Sequence, residues 1–352
     1  MGTWSNLAGL KLNVDAVDLV PLSLRVSARF SRPTTLIRLS GCGERGVGED
    51  VCWNAGDQQG LRQASIEWPR GEFDLASFSV ALTGVDLNDR SLQQPAYRDY
   101  RRWGIESAAL DLALRQAGRS LAQVLERTPA PVRFVASTSL GDPPRLDRVE
   151  TLVRRVPGVR FKLDANPGWS QEFLDRLAAL QVVDVIDFKG AYKGTPVDTP
   201  PDAALYRRVA ETLPEAVLED PAWTDDTAAT LVPYRERLAW DAPIHAVEDI
   251  EALPFQPRWI NMKPSRFGRL ETLFDAYDYC TRHGIAMYGG GQFELGEGRL
   301  QIQTLAALFH ADAGNDVAPV EYHRIADHET LPTSPRIPAT QDARPGFALD
   351  WK

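Results

Sequence analysis

The stretch V159-R-F-K-L-D-A-N-P-G-W-S170 reads as a β-strand that runs into a polar turn. Period-2 alternation puts Lys162, Asp164 and Asn166 on one face at the strand's end. A lysine, a carboxylate and an amide in line suggest chemistry, and which chemistry depends on which strand of the fold this is. Around it, short apolar runs alternate with helical patterns: V132-R-F-V-A-S, V182-V-D-V-I-D, A216-V-L-E-D, L238-A-W-D, R258-W-I-N-M-K and I285-A-M-Y-G-G-G. With the opening stretch these make seven strand-then-helix repeats, the pattern of a parallel sheet closed as a barrel.

Ahead of the repeats, residues 104–125 carry apolar side chains at helical spacing and predict a long amphipathic helix. Residues 10–51 are strand-like and close on the turn-rich G41-C-G-E-R-G-V-G-E-D. The expected organisation is an α+β N-terminal domain over residues 1–103, a barrel over residues 104–329, and a tail from about residue 330 to 352 that completes the first domain. With 352 residues, 43% of them hydrophobic, the chain can bury a large core. A net charge of -9 without clustered Lys or Arg argues against nucleic acid and anionic membrane as partners. No run of eighteen apolar residues occurs, so a cytoplasmic protein is expected; a homo-oligomer stays open. Cys42, Cys52 and Cys280 include no CxxC pair, which suggests neither a disulfide framework nor a zinc site.

In a barrel of this type the active site lies at the C-terminal ends of the strands. Those ends carry Lys162 and Asp164, Asp187 and Lys189, Glu219 and Asp220, Asp241, and Lys263, with 22 residues from Glu219 to Asp241 and again from Asp241 to Lys263. Asp187, Glu219 and Asp241 from successive strands offer three hard oxygen ligands, a donor set suited to Mg²⁺. Lys162 and Lys263 flank them, and a lysine near other cations gives up its proton more readily. A metal-chelated carboxylate has an acidified α-proton, so a carboxylate triad with a lysine points to α-proton abstraction from a small carboxylate substrate. For any single Asp/Lys pair an inert salt bridge is as good a reading; the series of acids between lysines favours chemistry.

Several segments together resemble the enolase superfamily, and within it members of the muconate lactonising enzyme and o-succinylbenzoate synthase type. They are T35-L-I-R-L-S-G-C-G-E-R-G-V-G-E-D, A109-L-D-L-A-L-R-Q-A-G, L218-E-D-P, A239-W-D-A-P with V247-E-D-I, I260-N-M-K-P-S-R-F-G and P345-G-F-A-L-D. The resemblance implies a (β/α)₇β TIM-type barrel with an N-terminal α+β capping domain, Mg²⁺ at the centre, Glu219 and Asp241 as fourth- and fifth-strand ligands, and Lys263 as the sixth-strand lysine. Ala242 and Pro243 stand where the fifth-strand motif usually continues with Glu-Ser.

D164-A-N-P-G-W looks like the family's third-strand metal motif, yet counting strands makes V159-R-F-K-L-D the second and moves the ligand to Asp187. On that register the second-strand Lys-x-Lys has become Lys162-x-Asp164 and the third-strand Asp-x-Asn has become Asp187-x-Lys189. Lys189 and Asp164 are then expected to face each other, with Lys189 in an electrostatic or basic role. The catalytic candidates are Lys263, Lys162, Lys189 and Asp164. Asn261, Gly290, Gly291 and Glu294 are candidates for substrate contact. Arg45 and Glu49 are expected on a loop over the site. The leading expectation is a Mg²⁺-dependent lyase that abstracts an α-proton and eliminates in syn fashion, with a racemase or epimerase as alternative. A non-catalytic acid-binding barrel is the rival from another class.

Overall fold

A computed structural model of the chain describes residues 2–26, 30–88, 92–195, 197–324, 330–339 and 344–352. The N-terminal unit holds β1 (Lys11–Val14), β2 (Ala16–Arg25), β3 (Ser31–Gly41), β4 (Glu44–Asp50) and β5 (Gly71–Asp74). β2, β3 and β4 form an antiparallel sheet, and β1 pairs with β5. The glycine-rich segment expected to be a turn is mostly strand. Only Cys42 and Gly43 turn, with φ 51° and 80°, the left-handed pair of a two-residue hairpin loop. The glycines that follow serve packing. A Cβ on Gly46 would lie 2.3 Å from the Ala108 carbonyl oxygen, and one on Gly48 2.0 Å from that of Gly104. β4 therefore lies directly against the helix Tyr97–Gln116.

That helix begins earlier than the apolar spacing suggests and stops before residue 125. Its start is set by Tyr97 and Tyr100, which are buried and pack on each other. Its end is set by Gly118 at φ 64°, the left-handed stop after a helix, and Leu121–Leu125 is a separate short helix capped by Ser120.

The C-terminal unit is a curled parallel sheet of seven strands: β6 (Ala136–Ser139), β7 (Phe161–Asp164), β8 (Val183–Asp187), β9 (Val217–Glu219), β10 (Leu238–Trp240), β11 (Trp259–Met262) and β12 (Ala286–Gly289). They are hydrogen-bonded in chain order, so each of the seven apolar runs forms or, at V132-R-F-V-A-S, leads into a strand, and β7 lies between β6 and β8. The opening stretch is thus the second strand, and Asp164 sits beside Asp187 in register. Residues 315 and 316 touch both edges of the sheet: Asn315 bridges Phe134 ahead of β6, and Asp316 bridges Gly290 just past β12.

Helices follow the strands where caps start them. Ser170, Asp202 and Thr224 each accept a backbone N–H of the first turn. Their apolar faces, with Leu174, Leu177 and Val209 fully buried, close one side of the core around Phe161, Leu163, Ile186 and Leu218. The three cysteines are free. Among the described residues, no helix is long and apolar enough to cross a membrane.

Two buried charges tie the N-terminal unit to the turn after β12. Glu49 is on β4 rather than on a loop, and its carboxylate accepts the N–H groups of Leu295, Gly296 and Gly298 at 2.7, 3.0 and 3.1 Å, at the start of the helix Glu297–Phe309. Arg32 on β3 donates to the carbonyls of Val51 and Gln292, both at 2.6 Å, and of Pro33, Cys52 and Phe293. Arg45 is also on β4.

Candidate active site

At the C-terminal ends of the strands lies a cavity of about 930 Å³, walled on one side by Pro33, Trp53, Tyr97 and Tyr100 of the N-terminal unit. Its floor is cationic: Lys162, Lys189, Lys263 and Arg266 all line it. Lys162 is on β7, Lys189 and Lys263 lie just past the ends of β8 and β11, and Arg266 is in the short helix Pro264–Phe267 that follows β11, so all four come from the C-terminal side of the sheet.

Behind the cations sit buried carboxylates. Lys162 Nζ donates to Glu219 Oε1 at 2.5 Å and lies 3.5 Å from Asp187 and 3.6 Å from Asp316. Lys189 Nζ is 2.5 Å from Asp187 Oδ2 and 3.3 Å from Asp164 Oδ1, so the expected pair does face across β7 and β8. Lys189 and Asp220 take φ 55° and 47°, left-handed backbone just past two strand ends. Lys263 Nζ donates to Asp241 Oδ2 at 2.7 Å, the same oxygen that accepts the Tyr192 hydroxyl at 2.7 Å, while Arg266 Nε reaches Oδ1 at 3.1 Å.

Oxygens of Asp187, Glu219 and Asp220 lie within 4.8 Å of one another. Asp241 is next to this trio but turned toward Lys263 and Arg266. Asp220 accepts the N–H groups of Asp241 and Ala242 at 2.9 and 2.8 Å, which positions the end of β10. Glu219 also accepts the Tyr288 hydroxyl and, at 3.4 Å, the Asn261 amide.

Burial pushes Glu219 up to about 8, with the like charges of Asp187 and Asp241 adding to it against Lys162. Burial also lifts Asp220 to about 7, aided by Asp241 and Asp187. At Asp187 burial acts the same way, but Lys189 and Lys162 overrule it and hold the carboxyl near 2. For Asp241 too, Arg266 and Lys263 outweigh burial and keep it well below the usual range.

Among the described residues, Asp164, Asp187, Glu219, Asp220, Asp241 and Asp316 are set against four cations, Lys162, Lys189, Lys263 and Arg266, an excess of two negative charges when all are ionised. Asn261 Oδ1 is buried there with no hydrogen-bond donor among the described residues. An all-oxygen donor set with that charge fits a divalent cation.

Gly290 keeps the site open, since a Cβ there would meet Asn261 Oδ1 at 2.3 Å and Lys263 Cε at 2.9 Å. Gly291 lines the cavity. Glu294 is buried outside it, accepting the Gln292 N–H at 2.7 Å and pairing with Arg299 at 3.2 Å. Sequence reasoning passed over Tyr192, Arg266, Tyr288 and Asp316. Arg266 and Tyr288 lie inside motifs already singled out, whereas Tyr192, in the turn after β8, has no local signal. His245 is not among the partners of the buried carboxylates; its Nδ1 lies 3.0 Å from the Arg266 carbonyl and 3.5 Å from Asp99. His328 lies outside the described residues.

A family model described as "Domain of unknown function (DUF8230) C-terminal domain" matches residues 128–324, and its N-terminal counterpart matches residues 5–124. The chain belongs to the DUF8230 family. This DUF8230 protein is 26% identical over 348 residues to an o-succinylbenzoate synthase of Geobacillus kaustophilus, a match covering 89% of this chain and 87% of that one. It is 27% identical over 321 residues to an N-succinylamino acid racemase of Thermus thermophilus, covering 84% and 83%. Among solved structures it superposes on a muconate cycloisomerase from Pseudomonas fluorescens with a TM-score of 0.67 at 17% identity, covering 97% of each chain. An enolase superfamily member from Listeria innocua superposes with a TM-score of 0.64 at 19% identity, covering 97% of this chain and 94% of that one. The resemblance to the enolase superfamily is borne out by these relatives. They include a synthase, a racemase and a cycloisomerase, which bears out the expectation of an enzyme of the lyase or isomerase kind.

Proposed function

We propose that this DUF8230 protein abstracts a proton α to the carboxylate of a small substrate and completes the reaction by syn elimination. The observation that carries this reading is that three lysines, Lys162, Lys189 and Lys263, line one cavity directly above buried carboxylates. In this reading the curled sheet is a (β/α)₇β barrel whose eighth position is taken by residues 315–316. Residues 1–103, with the tail from about 330, cap it, and residues 104–329 carry the chemistry in a cytoplasmic enzyme.

Asp187, Glu219 and Asp241 are the residues that would hold Mg²⁺, with Asp220 fixing the backbone of Asp241. When bound, the ion supplies positive charge against the substrate carboxylate as it becomes an enediolate. Lys263 Nζ, deprotonated, takes the α-proton. The electron pair of the C–H bond forms the enediolate and then expels a hydroxide from the β-carbon, which leaves as water with the proton that the same lysine returns on the same face. Lys162 and Lys189 hold the carboxylate's charge from the other side, and Asp164 keeps Lys189 in place.

Racemisation is the second reading. It is favoured by the position of Lys189 three strands from Lys263 on the same cavity, which puts an ammonium where a proton could be returned to the opposite face. Exchange of α-protons in deuterated water over a panel of carboxylic acids and N-acyl amino acids tests both. Exchange that disappears in Lys263→Ala is expected. Binding without exchange on any member of the panel would favour an acid-binding protein that has no base.

A further inference from the structure

The cavity has a second group of basic side chains, two arginines and a histidine, that this proton transfer does not use. They come from the elements after β6, after β12 and after residue 316. Arg299, in the first turn of the helix Glu297–Phe309, is buried and paired with Glu294, and its Nε has no acceptor among the described residues. Its NH2 lies 3.5 Å from His323 Nε2, which leaves the imidazole proton on Nδ1. Burial and the two neighbouring arginines push His323 down to about 2, so it is a neutral member of this wall. Its ring meets Phe293 edge-on at 3.9 Å.

Arg148, in the helix Asp147–Arg155, donates from NH2 to the Tyr322 carbonyl at 3.1 Å. Tyr322 is itself fixed, its hydroxyl on the Pro332 carbonyl at 2.7 Å and its ring against Phe134. Among the described residues, six lysines and arginines line the cavity. Lys162, Lys189, Lys263, Arg266 and Arg299 each have a carboxylate within 3.3 Å, and Arg148 has none among the described residues. With one NH2 anchored, the rest of its planar fork is free to meet an oxyanion in bidentate fashion. This wall therefore sets two guanidiniums against one carboxylate.

We propose that Arg148 and Arg299 form a second anion subsite that takes a terminal carboxylate or phosphate of the ligand, apart from the lysine floor. That the ligand's other end is the reacting carboxylate rests on the function proposed above; the subsite itself does not. Ser137 and Thr138 also line the cavity and bring hydroxyls to it.

The test is calorimetric titration of the full chain, with Mg²⁺ present, using butanoate, glutarate and 4-phosphonobutanoate. The three share a chain length and differ only in the distal group. Glutarate or 4-phosphonobutanoate is expected to bind at least ten-fold tighter than butanoate, and the tighter of the two identifies the anion. In Arg148→Gln, at an exposed position that tolerates an amide, that ratio should fall to near one while the melting temperature holds. Equal affinities in the wild type, or a gain that survives Arg148→Gln, would overturn the subsite. α-Proton exchange, read on the same samples, separates the two proposals: a gain lost in Arg148→Gln without exchange keeps the subsite and counts against the reaction, and exchange without a gain does the reverse.

Discussion

Lys189 Nζ stands 3.3 Å from Asp164 and 2.5 Å from Asp187, so one ammonium joins the ends of two neighbouring strands. Asp164 is partly exposed and its contact is screened, so Asp164→Ala should cost only about 1 kcal/mol. Lys189→Ala removes the shortest partner of a fully buried carboxylate, leaving Lys162 at 3.5 Å, and should cost about 3 kcal/mol. Moving the ammonium to the other strand, in Asp164→Lys with Lys189→Asn, should recover most of that loss. Denaturant midpoints of the three variants decide it; a double variant less stable than Lys189→Ala would show that the pair is not interchangeable.

The excess negative charge behind the lysines predicts stabilisation by Mg²⁺. At an ion concentration about a hundred times its dissociation constant the gain should be about 2.7 kcal/mol. Thermal melts with and without Mg²⁺ should show it in the wild type and not in Glu219→Ala or Asp241→Ala. Asp220→Asn, which keeps an acceptor for the Asp241 and Ala242 N–H groups, should retain part of it. No response in the wild type would remove the metal from the proposed function.

Gly290→Ala should spare the fold and spoil the site. The added methyl would overlap Asn261 Oδ1 and push on Lys263, while the strand pairing of β11 with β12 stays intact. Proton exchange should drop at least ten-fold, with a melting temperature within a few degrees of wild type. Full exchange activity would mean that Lys263 has room to move.

The clamp between the two units predicts losses of stability from two substitutions at residues that do not themselves line the cavity. Arg32→Met takes the donor from the carbonyls of Val51 and Gln292, while Cys52 keeps Gln58, for a cost of about 2 kcal/mol at roughly 1 kcal/mol for each. Glu49→Gln keeps the shape and loses charge at a helix start, so about 1 kcal/mol is expected. Chemical denaturation measures both, and a neutral Arg32→Met would show that water reaches those carbonyls.

His310 sets a pH dependence. Its Nδ1–H donates to Asn315 Oδ1 at 2.7 Å and its Nε2 accepts the Tyr277 hydroxyl at 3.1 Å, an arrangement that uses the neutral ring. Burial pushes its pKa down to about 4, below the 6.5 of a free histidine. The folded form therefore resists a proton that the unfolded chain accepts. Stability from this residue is complete above pH 6.5, is lost as pH falls toward 4, and levels off below; the total is about 3 kcal/mol. Denaturant midpoints at pH 4.5 and 7.5 should differ less in His310→Gln than in wild type. Equal differences would place the loss elsewhere.

The sequence by itself determined the strand count, and with it the place of V159-R-F-K-L-D as second strand, because apolar runs, helix caps and turn glycines act within a few residues of each other. It also placed Lys162, Asp187, Glu219 and Lys263 at strand ends, since alternation decides which face a side chain takes. It misread the extent of the turn in G41-C-G-E-R-G-V-G-E-D, where Gly43 does turn but Gly46 and Gly48 answer to a helix about sixty residues away. Only the tertiary structure decided how the charges pair: Lys162 with Glu219 across 57 positions, Tyr288 with Glu219 across 69, and Arg266 with Tyr192 around Asp241 across 74. Such contacts depend on ångström distances between elements that are remote along the chain. The same holds for Arg148, an ordinary helix residue until the curl of the sheet carries it to the cavity with no carboxylate partner among the described residues.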